Sequence, residues 1–115
     1  MNDLITHFIE LATNHGDYLL NGDERANSYH KKLTKTIDQI KGSETSVKLA
    51  FKELLAHPNL SVKSWVAVEL LGTYEQQSLE TLNSVGKDKS ILALNANSLI
   101  DMWNKGMIKK ENWNF

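Results

Sequence analysis

Apolar side chains recur along this chain at steps of three and four residues, with polar residues between them. This spacing places the apolar positions on one side of an α-helix, whereas a strand would need strict alternation. Glycine, proline and asparagine residues interrupt the pattern and divide it into six segments. The pattern therefore predicts an all-α domain.

The interruptions also predict where each helix begins and ends. We expect helices from Asn2 to Leu20, from an Asp23 cap to Gly42, from a cap at Ser43 or Thr45 to Leu55, from a cap at Asn59 or Ser61 to Leu71, from Glu75 to Val85, and from Lys89 to Asn104. Consecutive helices would pair as three antiparallel hairpins stacked side by side into a short solenoid. Residues 1–106 would form this single domain, and residues 107–115 would form a C-terminal tail.

The most informative segment is HPNLSVKSWVAVELL, residues 57–71. Pro58 cannot continue the preceding helix, and the apolar residues that follow it recur at helical spacing. A shift of 29 residues indicates a second copy, in which Ser90 or Asp88 supplies the cap. It lays Ile91, Ala96, Leu99 and Ile100 onto Val62, Ala67, Leu70 and Leu71. The alternative is an ordinary helical bundle, because any two amphipathic helices align at some offset.

Residues 57–71 resemble one turn and helix of a HEAT repeat. Together with the run from Gly22 to Tyr29 and the last helix ending in Trp103, they make the chain up to Gly106 similar to a small bacterial family of HEAT-like domains of unknown function. The resemblance implies a short HEAT-like α-solenoid that presents a binding surface and carries no catalytic residue. Small helical domains of this kind are also similar to immunity proteins of contact-dependent growth inhibition and other polymorphic toxin systems, which neutralise a nuclease toxin by direct binding.

Composition narrows the possible function classes. The 13 basic and 14 acidic residues nearly cancel, and Arg25 is the only arginine, which argues against nucleic-acid binding. The absence of cysteine removes disulfides and thiol nucleophiles and fits a reducing compartment. The first helix lacks the basic region of a signal peptide, and no apolar run reaches membrane-spanning length. We therefore expect a cytoplasmic protein that binds neither nucleic acid nor membrane.

The four histidines suggest metal or acid–base chemistry, and the serines and aspartates leave a catalytic triad open, because a triad is defined by geometry and not by sequence order. His7 and Glu10 lie one turn apart, but a carboxylate-bridged metal site in a helical bundle needs several such pairs. His15 is expected near a helix end, where the helix dipole favours the cationic imidazole. No phosphate-binding loop, nucleophile elbow or metalloprotease motif is present. The sequence predicts no metal, no cofactor and no enzymatic activity.

A candidate partner-binding surface follows if the second, fourth and sixth helices line one face of the solenoid. The fourth helix would contribute Trp65, Val68 and Glu69, and the shift of 29 residues would place Ala93, Leu94, Asn97 and Asp101 beside them. Such a surface has an apolar centre and an acidic rim, as expected of a protein-binding hot spot anchored by tryptophan. The alternative is that Trp65 packs between adjacent hairpins.

The charge pattern favours a partner with a basic surface. No basic residue occurs between Lys63 and Lys87, whereas Glu69, Glu75 and Glu80 are acidic. Such a patch could meet the basic surface with which a nuclease holds its substrate. We therefore expect a protein-binding module, and the resemblance to immunity proteins implies, most concretely, an immunity protein for a nuclease toxin. The alternative is an adaptor or regulatory scaffold with another protein partner.

The tail is too apolar for a fully solvated chain end. Met107, Ile108, Trp113 and Phe115 are interspersed with polar residues in a way that forms no helical stripe. The tail would either fold back over the last hairpin or attach to a partner. We favour folding back, because exposed tryptophan and phenylalanine promote aggregation.

Overall fold

A computed structural model describes residues 3–115, and within this range the protein has six α-helices, one short 3₁₀ turn and no strand. The helices are α1 (Asp3–Leu20), α2 (Arg25–Lys41), α3 (Thr45–Glu53), α4 (Leu60–Glu69), α5 (Glu75–Val85) and α6 (Ile91–Asn104), and the 3₁₀ turn Leu54–Ala56 directly follows α3. The predicted all-α class is confirmed. The predicted first helical residue, Asn2, lies outside the described residues.

The helices form a short HEAT-like stack of hairpins. α1 packs against α2, the 3₁₀ turn that extends α3 packs against α4, and α5 packs against α6. α4 also contacts both α1 and α5, while α6 reaches α1 and α4. The first and last hairpins therefore touch, and the domain measures 36 × 30 × 23 Å.

Local signals in the sequence account for the starts of α2, α4 and α6. The side-chain oxygens of Asn59 and Ser90 accept backbone N–H groups from the first turns of α4 and α6, at 3.0 and 3.2 Å. The carboxylate of Asp23 accepts the backbone N–H of Arg25, the first residue of α2, at 2.9 Å. These contacts satisfy amides that would otherwise lack partners at the helix ends.

The predicted cap of α3 is wrong. Glu44 occupies the position before the helix and forms no side-chain capping bond. The hydroxyl of Ser43 instead donates to the backbone carbonyl of Gln39, at 2.7 Å, and Thr45 already belongs to the helix. Ser43 therefore satisfies the end of α2 and is not available to α3.

α4 is the central helix of the domain because it contributes to both hydrophobic clusters. Val62, Val66 and Leu70 pack with α1, α2 and α3. Ala67 and Leu71 pack with α5 and α6. A helix that is buried on more than one side carries apolar residues around most of its circumference, and the sequence of α4 has this pattern.

The predicted orientation of α6 is correct at Ala96 and Ile100, which pack into the second hydrophobic cluster, and wrong at Ile91 and Ala93. Ile91 was aligned with the buried Val62, yet it is 42% exposed. Ala93 was assigned to the binding surface, yet it is buried. α6 packs through Ala93 and Ala96, whose small side chains allow a close approach to neighbouring helices.

The tail folds back, as predicted, but not over the last hairpin. Trp113 is 4% exposed and stacks on Phe51 of α3 with ring centroids 4.8 Å apart. Its backbone N–H donates to the hydroxyl of Thr73, at 2.7 Å, and the ammonium of Lys48 donates to the carbonyl of Asn114. The tail is therefore part of the core around α3 and the connection between α4 and α5.

α1 and α4 approach each other closely at two small residues. A Cβ atom added to Gly16 would lie 2.5 Å from the Cβ of Ser61, well inside van der Waals contact. Only glycine fits at this point of α1 while α4 keeps its position. This close approach places the adjacent His15 beside α4.

We expect Trp113→Ala to reduce the free energy of unfolding by about 3–5 kcal/mol, because it leaves a cavity against Phe51. Chemical denaturation followed by circular dichroism measures this change. Leu94→Ala is the control: Leu94 is 69% exposed, so its truncation should change stability by less than about 0.5 kcal/mol. Equal stability of the two variants would show that the tail does not belong to the core.

We expect Gly16→Ala to cost about 1–3 kcal/mol through the collision with Ser61, although alanine is the better helix former. Ser61→Gly removes the colliding Cβ and should itself cost up to about 1 kcal/mol. The double variant Gly16→Ala/Ser61→Gly should lose much less stability than the sum of the losses in the two single variants. Full additivity in denaturation experiments would contradict a close approach at this pair.

Candidate functional site

A groove with a volume of about 500 Å³ opens between α1, α2, α4, α6 and the tail. α4 forms its centre with Trp65 and Val68, and α6 forms one wall. His15 of α1 and His30 of α2 line the other side, and Lys110 of the tail closes one edge. The second, fourth and sixth helices thus contribute to one concave surface, and α1 and the tail contribute as well.

Trp65 is held in this groove by two histidines. Its indole N–H points to Nδ1 of His15 at 3.4 Å, a long hydrogen bond. The ring centroids of His15 and His30 lie 5.3 and 5.2 Å from that of Trp65, with interplanar angles of 84° and 59°. Trp65 is partly buried and packs against the larger core cluster. It therefore both packs between helices and faces the groove.

His15 is the titratable group in the groove whose environment most clearly changes its chemistry. Burial lowers the pKa of His15 below its ordinary value of 6.5, and the nearby positive charge of His30 lowers it further. The expectation of a cation stabilised at a helix end is wrong, because α1 continues to Leu20 and burial lowers the pKa of His15. The indole N–H of Trp65 also needs an acceptor at Nδ1 of His15, and only the neutral imidazole provides one.

Three of the predicted site residues lie together in the groove. Trp65, Val68 and Glu69 occupy one face of α4, and none of the three is fully exposed. Glu69 follows Trp65 by one helical turn, so the indole and the carboxylate are neighbours. This half of the predicted surface is present in the described residues.

The other three predicted residues lie on a different face of α6. Leu94 is the most exposed large apolar side chain among the described residues, at 69%. The side-chain amide of Asn97 donates to the carbonyl of Gly86, at 3.2 Å. The carboxylate of Asp101 pairs with Lys105 on the same helix, at 2.9 Å. None of these three residues lines the groove.

α6 contributes a neighbouring set of residues to the groove. The residues of α6 that line the groove are Leu92, Asn95, Ala96, Ser98, Leu99 and Met102. The packing of α6 against α1 and α4 determines which of its residues face the groove, and the sequence of α6 carries no local signal for that packing.

Each of the three glutamates of the predicted acidic rim has a polar partner, and one of these partners is a basic residue. The ammonium of Lys110 lies 3.5 Å from the carboxylate of Glu69. The indole N–H of Trp103 donates to Glu75 at 2.9 Å, and Glu80 accepts a side-chain hydrogen bond from its own helix. The segment between Lys63 and Lys87 contains no basic residue, but in the folded protein Lys110 brings a basic group to Glu69.

The described residues give no sign of a metal centre or a membrane-spanning segment. No group of three or more histidine, aspartate or glutamate side chains within 3–115 gathers closely enough to hold a metal ion. His7 and Glu10 are both exposed on α1. None of the helices in this range is long and apolar enough to cross a membrane.

The fold has a counterpart among solved structures. It superimposes on the crystal structure of the protein RPA1889 from Rhodopseudomonas palustris CGA009 with a TM-score of 0.82 and 23% sequence identity, over 95% of this chain and 92% of that chain. At this level of identity the likeness concerns the fold alone. No protein-family model and no curated protein matches the sequence.

The lowered pKa of His15 predicts a dependence of stability on pH. The unfolded chain takes up a proton near the ordinary pKa of 6.5, whereas the folded chain does so at lower pH. The free energy of unfolding should therefore fall as pH decreases below that value. In His15→Gln, which keeps an acceptor for Trp65, the fall from about pH 7.5 to about pH 5.5 should be smaller. Parallel curves for the two proteins would contradict this assignment.

Proposed function

We propose that this protein is a protein-binding module whose recognition surface is the groove around Trp65. We further propose that it acts as an immunity protein, which binds a cognate nuclease toxin and keeps it inactive in the cell that produces it. The observation that carries the first step is the geometry of the groove. An apolar centre anchored by a partly buried tryptophan lies between four helices and has a polar edge.

The composition of the groove fits protein recognition. Protein-binding hot spots concentrate tryptophan, tyrosine and arginine in desolvated sites surrounded by less critical polar contacts. Trp65 has such surroundings, with Val68, Leu99 and Met102 as apolar neighbours and Ser98 and Asn95 toward α6. Stacked helical hairpins commonly bind partners on a concave surface of this kind.

Ser64 and His15 do not form a nucleophile–base pair in the groove. The hydroxyl of Ser64 is buried and has no hydrogen-bond partner among the described residues. Nδ1 of His15 receives the indole N–H of Trp65 rather than a serine hydroxyl. Nucleophilic catalysis requires a hydroxyl or thiol within hydrogen-bond reach of a base. These contacts favour recognition over catalysis as the use of the groove.

The step from binding to immunity is supported by the resemblance in size and fold to immunity proteins and by the carboxylate of Glu69 in the groove. An adaptor or regulatory scaffold would use the same groove for a partner that is not toxic. The groove volume of about 500 Å³ also lies in the range of small-molecule sites, about 300–1,000 Å³. A small ligand is therefore a second candidate occupant.

Affinity capture from the native cell lysate followed by a growth test separates these functions. The tag belongs at the N-terminus, because Trp113 is buried in the core. We expect one stoichiometric protein partner that stops growth when it is produced alone and not when it is produced with this protein. A partner that is harmless alone would contradict immunity and favour a scaffold. Recovery of a small molecule without a protein would contradict both.

Trp65→Ala should weaken binding of the captured partner by about 30-fold or more, the effect of removing a hot-spot residue. It should also abolish protection in the growth test. Leu94→Ala is the matched control, because it removes an exposed apolar side chain of α6 that lies outside the groove. Binding that depends on Leu94 and not on Trp65, measured by calorimetry, would move the recognition surface away from the groove.

A further inference from the structure

Glu69 places a partly buried negative charge in the groove. It is the only carboxylate among the described residues that line the groove, and its side chain is 19% exposed. A carboxylate with little access to water favours a cationic partner, because a charge loses solvation on burial. In the free protein that partner is Lys110 of the tail.

The contact between Lys110 and Glu69 is a loose one. The ammonium lies 3.5 Å from a single carboxylate oxygen, whereas a strong charge-assisted hydrogen bond measures about 2.7–2.9 Å. The Lys110 side chain is 28% exposed, so it can exchange the carboxylate for water.

The backbone of the tail does not depend on this ion pair. It crosses directly over Gly72, where a Cβ atom would collide with the carbonyl of Lys110. Three residues further on, the burial of Trp113 fixes the tail in the core. The Lys110 side chain can therefore leave Glu69 while the tail stays in place.

We propose that this end of the groove receives a basic side chain of the partner, foremost an arginine, which replaces Lys110 on Glu69 and contacts Trp65. The inference rests on the proposed function in that it takes the groove to be a protein-binding surface. Lys110 then acts as an internal substitute that covers the carboxylate until the partner arrives. The partner class is a protein segment that presents an arginine beside apolar side chains.

Arginine fits this position better than lysine does. Its planar guanidinium can donate two parallel hydrogen bonds to one carboxylate, which Lys110 does not do. Residues one helical turn apart have Cβ atoms about 5–6 Å from each other, so a guanidinium on Glu69 is within reach of the Trp65 ring. Tryptophan is the aromatic residue that attracts cations most strongly.

The other charged and titratable groups of the groove set the conditions for binding. They are His15 on α1, His30 on α2 and Lys110 on the tail, and α6 contributes none. Protonated histidines would repel an incoming arginine. Binding should therefore be measured near pH 7.5, where the burial that lowers the pKa of His15 keeps this residue neutral.

The test uses the full chain, labelled with ¹⁵N, and the peptide acetyl-Leu-Arg-Leu-amide. The control peptide carries citrulline, which has nearly the same shape as arginine but no charge. The indole N–H signal of Trp65 is identified by its loss in Trp65→Phe. We expect this signal to shift on titration with the arginine peptide, and the citrulline peptide to bind at least about fivefold more weakly.

Three variants test whether the preference for the arginine peptide depends on Glu69. Glu69→Gln should abolish the preference for arginine over citrulline, because it keeps the shape of the side chain and removes the charge. Glu80→Gln makes the same change in net charge at an exposed residue outside the groove and should leave the preference intact. Lys110→Met should tighten binding of the arginine peptide by about two- to fivefold, since the internal competitor is gone.

The proposal is overturned if the two peptides bind equally, or if Glu69→Gln and Glu80→Gln behave alike. Its failure is separable from failure of the proposed function. If Trp65→Ala loses partner binding and protection but the peptides show no arginine preference, the groove is still a protein-binding surface. Only the proposed basic side chain of the partner is then rejected. If the arginine preference is found but the protein gives no protection in the growth test, the arginine site is supported and the immunity function is rejected.

Discussion

The close approach of α1 and α4 at Gly16 and Ser61 is the constraint on which the arrangement of this domain depends. It leaves no room for a side chain on α1 at that point. As a result His15, the residue before the glycine, lies against Trp65, and the two aromatic rings of α1 and α2 hold the indole at the groove. A wider separation of the helices would remove these contacts and the groove they define.

The charge at one edge of the groove depends on the position of the tail. Trp113 completes the core beside α3, and this burial determines where the preceding residues run. They pass over Gly72 and place Lys110 next to Glu69. The same nine-residue tail thus adds apolar contacts to the core and sets the charge at one edge of the groove. Core packing and surface chemistry are joined by a short piece of chain without regular secondary structure.

The parts of this structure that follow from the sequence are those determined locally. The stop at Pro58, the caps at Asn59 and Ser90 and the helical periodicity act within a few residues, so they predict six helices in the observed order. The orientation of α6 is set by packing against other helices. Neighbouring residues on a helix differ in direction by about 100°, so the predicted Leu94 points away from the groove that Asn95 lines. The contact of Trp113 with Phe51 had no local signal at all.

The most direct test of the groove as the recognition surface is to map the partner's footprint by NMR, comparing the labelled protein alone and in complex with its captured partner. If the groove is the binding surface, the largest changes in chemical shift will occur at Trp65, Ser98 and Met102. The exposed stripe of Leu94, Asn97 and Asp101 on the same helix will change little. The reverse pattern, with changes centred on that stripe, would contradict the assignment of the groove.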